Sequence, residues 1–281
     1  MTEMTEDTAV VWIRDGVLVD RMPENAVAFA IASWRYTHPD LREDLCIEDL
    51  INWGFEKSGV SAAEKMQLFN LERREIVTNI IDAAAYYTAL VVGVESSLEY
   101  FDGSVELLRD LQAAGVKNYI TSAVNPRVLD KWRDGQGKVI SGYLSKILGS
   151  CSGFQKGRDH FAYIQNQGAA KIYYIADGEM EIRTGNNCEN CGVVPVGFAH
   201  VINSERAVEA FDRLIKVEQS IGVASPYPIK IHCIHPEKLV LPDAVKLESN
   251  LAQAGAKVVI GGTKQELMEN LRNYFVREKI L

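Results

Sequence analysis

The pattern of apolar positions changes period along the chain, and each change marks an element. Residues 10–13 form a short unbroken apolar run that stops at Asp15-Gly16, as a buried strand does when it ends in a turn. From about Met22 to Tyr100 the apolar residues recur at helical spacing, through 26–34, 45–55, 62–71 and 75–91, with almost no β-branched clusters. Ser61 and Glu64 stand at capping-box spacing inside this stretch, each able to satisfy an orphan amide of a helix N-terminus. The longest apolar run, 80–94, contains Asp82. It is too short to span a bilayer and reads as a buried helix.

Beyond residue 100 helices and strands alternate. Residues 104–114 read as an amphipathic helix closed by Gly115, 116–121 as a strand and 126–133 as a helix, while 139–148 fits neither period cleanly. Helix 161–167 and strands 171–176 and 193–198 follow, then helix 204–221, strand 229–234, helix 243–254, strand 257–260 and helix 264–275. Alternation at these lengths predicts a parallel sheet covered on both faces, an α/β, Rossmann-like fold. Residues 1–21 and 101–281 make that core, and 22–100 are an all-helical insertion. No Gly/Ser-rich linker sets 201–243 apart, so this segment is expected as an extra α/β elaboration of the core.

Composition narrows the field. At 281 residues, 47% hydrophobic and 24% charged, the chain has the balance of an ordinary soluble protein. Its net charge of −8 speaks against a nucleic-acid partner, which needs a cationic face. The acidic N-terminus lacks the basic and apolar regions of a signal sequence. Five cysteines, an odd number, point to free thiols in a reducing, cytoplasmic setting and away from a membrane or secreted role.

Ligands of an open parallel sheet bind beyond the carboxyl ends of its strands. There the sequence places Asp15 and Gly16 after the first strand, Thr121 and Ser122 after the second, and Asp177, Glu179 and Glu181 after a third, with Lys156 in a loop between the last two. Carboxylate oxygens suit a hard divalent cation, and hydroxyls with a lysine ammonium suit phosphate.

These residues carry a resemblance. Val10-Val-Trp-Ile-Arg-Asp-Gly-Val-Leu-Val-Asp20 resembles the first motif of the haloacid dehalogenase (HAD) superfamily, Asp-x-Asp-Gly at a strand end. Ile120-Thr-Ser122 is similar to the second motif, Lys156 in Phe-Gln-Lys-Gly-Arg-Asp to the third, and Tyr174-Ile-Ala-Asp-Gly-Glu-Met-Glu181 to the fourth. The helical insertion falls where that family carries its cap. The resemblance, to the phosphatase/phosphoglucomutase-like branch, covers nearly the whole chain except about 201–243. It implies Thr121, Ser122 and Lys156 as phosphate-binding residues, Asp15 as general acid/base, and Mg²⁺ on Asp177, Asp15 and Glu181.

The first motif departs from the family at its most important position. With Asp15-Gly16 aligned as the second Asp and the Gly, the nucleophile position is Ile13. The family's first carboxylate attacks phosphorus and ligates Mg²⁺; an isoleucine does neither. Arg14 adds a cation between the two positions, and turned toward the pocket it would take a metal's place. Ala176 replaces a usual Gly and Glu181 a usual Asp, so Mg²⁺ binding is expected to be weak or absent. The resulting expectation is a HAD-like protein that binds a small phosphorylated or anionic molecule, or a protein partner, without standard phosphatase activity. The alternative is an active Mg²⁺-dependent hydrolase of a small phosphorylated metabolite, working through Asp15 and a metal-activated water.

Cys188 and Cys191, with His232, Cys233 and His235 some forty residues on, offer Zn²⁺ ligands, but the spacing is not that of a zinc ribbon and free thiols are expected. His160 follows Lys156 by four residues and is a candidate for the same pocket, although a loop histidine is usually exposed. Trp34, Arg35, Tyr36 and His38 are candidates for a substrate-facing surface, with helix-end packing as the plainer role. Tyr86 and Tyr87 are expected inside the cap.

Overall fold

A computed structural model describes residues 7–41, 45–57, 59–73, 77–135, 137–222, 234–241 and 243–281. The elements begin with β1 (Thr8–Ile13), α1 (Met22–Arg35), α2 (Ile47–Glu56), α3 (Ala62–Arg73), α4 (Ile80–Gly93) and α5 (Ser104–Ala113). There follow β2 (Lys117–Thr121), α6 (Pro126–Asp134), α7 (Lys138–Ser141), β3 (Lys146–Leu148), α8 (Arg158–Asn166) and β4 (Lys171–Ala176). The chain closes with α9 (Glu179–Asn186), β5 (Val193–His200), α10 (Ser204–Ile221), α11 (Ala244–Gln253), β6 (Val258–Gly262) and α12 (Leu267–Arg277). They fall into two compact units: Met1–Asp20 with Glu99–Val201 and Asp243–Leu281, and Arg21–Leu98 with Ile202–Pro242.

The first unit is built on a six-stranded sheet of order β3-β2-β1-β4-β5-β6, with every neighbouring pair parallel. A central strand of such a sheet is covered on both faces, which is why Ala9 to Trp12 is apolar without alternation and wholly buried. Trp12 meets Phe275 of α12 edge-on at 6.3 Å. Its indole N–H donates to Asn118 Oδ1 at 3.1 Å, and Asn118 donates in turn to the Leu108 carbonyl, so the buried polar atoms of β1 and β2 are mutually satisfied. The ambiguous stretch 139–148 resolves into the short α7 and the edge strand β3. Its mixed period arose from two elements lying within ten residues.

The second unit is helical. Within it α1 packs against α2, α4 and α10, and its core includes Phe29, Ile31, Leu50, Phe69, Leu90, Phe211 and Leu214. Here the structure corrects the expected layout. Among the described residues of 201–243, α10 joins the helical insertion and not the sheet. Its apolar face (Ala207, Ala210, Phe211, Leu214) matches the stripe left open by α1 and α4, information that a linear search for linkers does not contain. The expected strand 229–234 falls, apart from Ile234, outside the described residues.

One buried ionic network ties α10 in place. Arg35 donates from Nε and Nη2 to the two carboxylate oxygens of Glu218, both at 2.6 Å, and Tyr86 donates its hydroxyl to the same carboxylate at 2.6 Å. Tyr36 meets Tyr86 edge-on at 6.0 Å. Arg35 and Tyr36 therefore serve packing within this unit. The run 80–94 is less buried than expected, because α4 covers only Ala83, Tyr86 and Leu90 fully and leaves Ile81 82% exposed. Among the described residues no helix is long and apolar enough to cross a membrane.

Removing one partner of a buried pair leaves the other charge uncompensated. Arg35→Met is therefore expected to lower stability by about 3–5 kcal/mol, measured by urea denaturation followed by circular dichroism. A loss under about 1 kcal/mol, the scale of a surface pair, would show that the network does not hold the unit together.

Candidate functional site at the carboxyl edge of the sheet

Strand order reverses between β1 and β4, and in open α/β sheets ligands bind beyond the carboxyl ends of the strands at such a switch point. Ile13 ends β1 directly beside Thr121, its partner on β2. Ile13 is 6% exposed and Thr121 1%. The chain then turns: Gly16 takes a φ of 85°, a left-handed conformation that favours glycine, and the Arg14 carbonyl accepts from the amides of Leu18 and Val19.

That turn sets two side chains against each other. Arg14 donates from Nε to Asp15 Oδ1 at 2.7 Å and from Nη2 to Oδ2 at 3.1 Å. On its other side the guanidinium lies 5.0 Å from the centre of the Trp132 ring on α6. The Arg14 side chain is 7% exposed and that of Asp15 27%. A two-pronged pairing of planar groups is the strongest form of ion pair, and the cation–π contact adds about 0.5–2 kcal/mol. Both carboxylate oxygens of Asp15 are thus engaged by a neighbour in sequence.

Lys156 and Glu181 form a second pair, Nζ to Oε1 at 2.7 Å. The Lys156 backbone is held by relay: its amide donates to Ser150 Oγ at 2.9 Å, and the Ser150 hydroxyl donates to the Ser122 carbonyl at 2.9 Å. Gly157, at φ 102°, lets the loop close into α8, since a Cβ there would meet Thr184 Cγ2 at 2.7 Å. Asp177 follows β4 immediately, and its Oδ2 is buried without a hydrogen-bond partner, as is Glu181 Oε2. Burial and then the nearby Glu181 charge push the Asp177 carboxyl well above the usual carboxylate range, against the opposing pull of Lys156. Two cations therefore meet two carboxylates, and the third acid leans toward its neutral form.

His160 overturns the expectation of an exposed loop residue. It sits on α8, fully buried, 2.5 Å from Thr121 Oγ1 through Nδ1 and 4.6 Å from the Phe154 ring. Burial, helped by the Lys156 charge, lowers its pKa to about 4. The Thr121 hydroxyl is thus already engaged. Ser150 and Trp132 are the site residues the sequence did not single out, because a serine and a helix tryptophan carry no spacing signal of their own; His160 was a candidate through its spacing from Lys156.

Mg²⁺, the cation implied by the resemblance, does not fit these residues. It requires near-octahedral oxygen ligands, whereas Ile13 offers none, Asp15 is clamped by Arg14 and Glu181 by Lys156. Among the described residues no three His, Cys, Asp or Glu side chains gather closely enough to hold a metal. Cys188 is buried and Cys191 half-buried, both free thiols, while His232 and Cys233 lie outside the described residues.

The switch-point sheet with its acids and lysine at the carboxyl edge has the HAD hydrolase fold. The likeness is carried by a HAD family hydrolase from Deinococcus radiodurans R1, solved with bound phosphate and sodium, over 99% of both chains at TM-score 0.57 and 17% identity. A hydrolase from Pseudomonas syringae matches over 96% of this chain and 98% of its own, at TM-score 0.59 and 16% identity. A haloacid dehalogenase-like hydrolase from Streptococcus pneumoniae matches over 97% and 100%, at 0.57 and 14%. No family model and no curated protein sequence matches the chain. At such identities the likeness establishes the fold alone.

The depressed His160 pKa has a measurable consequence. Between its ordinary 6.5 and about 4 the unfolded chain binds a proton that the folded chain refuses, so stability falls as pH drops through this window and this contribution levels off below it. The loss should be about 1–3 kcal/mol. It should be largely absent in His160→Gln, compared by denaturant titration from pH 7 to 4. Parallel pH profiles for the two proteins would contradict the assignment.

Proposed function

We propose that this chain binds a small phosphorylated or anionic molecule at the carboxyl edge of its sheet and does not turn it over by the aspartyl-phosphate route. The observation that carries this reading is the pair at the end of β1: Ile13 where a nucleophile would stand, and Asp15 held at both oxygens by Arg14. Isoleucine has no lone pair to attack phosphorus. A carboxylate in a two-pronged ion pair is also poorly placed to give and take protons, since either transfer must break the pair.

Anion binding asks less of the site. The Lys156 ammonium has three donors and commits one to Glu181. The Ser122 hydroxyl accepts from the Val124 amide at 3.2 Å and keeps its own proton to donate. These groups suit a phosphate or carboxylate, and the Thr121 hydroxyl is engaged by His160. That the Deinococcus radiodurans neighbour was solved with phosphate makes inorganic phosphate the natural first probe.

The test is a phosphate-release assay with a panel of phosphorylated metabolites and Mg²⁺, beside a calorimetric titration with inorganic phosphate. The parent protein should release no phosphate above background. It should bind phosphate, and Lys156→Gln should weaken that binding by about tenfold or more, the scale of a lost charge-assisted hydrogen bond. Metal-dependent release by the parent that Asp15→Asn abolishes would overturn the reading in favour of an active hydrolase.

A further inference from the structure

We infer that Arg14 is the resident cation of this site, filling the electrostatic role of a divalent metal, so that ligand binding here is independent of metal. The inference deepens the proposed reading but concerns the cation and not the anion.

Three observations support it. First, the guanidinium is fixed from two sides, by both oxygens of Asp15 and by the Trp132 ring 5.0 Å away, with its side chain 93% shielded from solvent. A cation restrained in this way is part of the scaffold, not a mobile surface charge. Second, the position is dictated by the chain itself. Arg14 directly follows the last residue of the central strand, and the Gly16 turn returns the amides of Leu18 and Val19 to its carbonyl, so its backbone is anchored as its side chain folds onto Asp15. Third, two of the three acids at this edge already have a cation of the protein's own, Arg14 on Asp15 and Lys156 on Glu181, and Ile13 contributes no charge at all.

The two departures at the strand end then explain each other. A metal at this edge would need an oxygen ligand from position 13 and a free carboxylate at position 15. Replacing the first ligand by isoleucine leaves the partly buried Asp15 without a metal as counter-charge, and the arginine between them supplies one. A divalent cation would now have to displace a tethered guanidinium whose effective concentration at Asp15 far exceeds that of a free ion.

Metal alone is the first probe. In the parent, Mg²⁺ at millimolar concentration should give no binding heat and no rise in melting midpoint, and Mn²⁺ should leave its water-proton relaxation as in buffer. The Ile13→Asp/Arg14→Gln double variant restores an oxygen and frees Asp15. It should gain a Mg²⁺-dependent rise of about 4 °C or more. One-to-one binding of Mg²⁺ or Mn²⁺ by the parent would overturn the inference even if the variants failed to fold. So would a folded double variant as indifferent to Mg²⁺ as the parent.

Phosphate titrations with and without a chelator separate the two proposals. Equal affinity in both is expected, and an affinity lost at least tenfold on chelation would overturn metal independence. Absence of phosphate binding under both conditions would defeat the proposed ligand class, while the resident-cation inference would still stand or fall on the metal titrations.

Discussion

The guanidinium of Arg14, gripped between the carboxylate of Asp15 and the ring of Trp132, governs what the rest of the site can do. Its influence follows from where the sheet puts it. β1 is flanked by β2 and β4 at the point where strand order reverses, so whatever follows Ile13 enters the crevice in which ligands of such sheets collect. A charge introduced there cannot be ignored by its neighbours, because low exposure strengthens every ionic interaction and penalises every unmatched one. Asp15 is neutralised locally and Lys156 is left to Glu181, while burial and the Glu181 charge push Asp177 toward its neutral form.

The scaffold bears this altered chemistry without strain because fold and reaction draw on different properties of the same residues. An isoleucine at the end of a buried strand suits the apolar surroundings better than a carboxylate would. The hydroxyl of Thr121 finds a partner in His160, and Ser150 links the Ser122 carbonyl to the Lys156 amide. Asp15, Thr121 and Ser150 thus have partners within the protein at this edge, while Lys156 and Ser122 keep spare donors. Those two are what incline the reading toward binding.

Much of this was legible in the sequence, for identifiable reasons. Short apolar runs and period-3.6 patterns located the described strands except β3, whose three residues are too few to show a pattern and sit beside the four-residue α7. The order of Asp15, Thr121, Lys156 and Asp177 along the chain was enough to bring them to one edge, because a parallel sheet places every strand's carboxyl end on the same side. Two features were not legible. The assignment of α10 to the helical unit depends on a match between apolar faces more than a hundred residues apart in sequence. The burial of His160 depends on α8 starting at Arg158, two turns of loop after Ser150, which no local pattern announces. In both cases the missing information is tertiary.

The central claim is a physical one, that a guanidinium and not a metal ion meets Asp15. Arginine side-chain Nε–H resonances report it directly, with the Arg14 signal identified by its loss in Arg14→Lys. The account predicts a slowly exchanging Nε–H, shifted downfield by its bond to Asp15, whose position does not change when Mg²⁺ is added. A rapidly exchanging signal, or one that moves on adding Mg²⁺ as the carboxylate is surrendered to the metal, would contradict it.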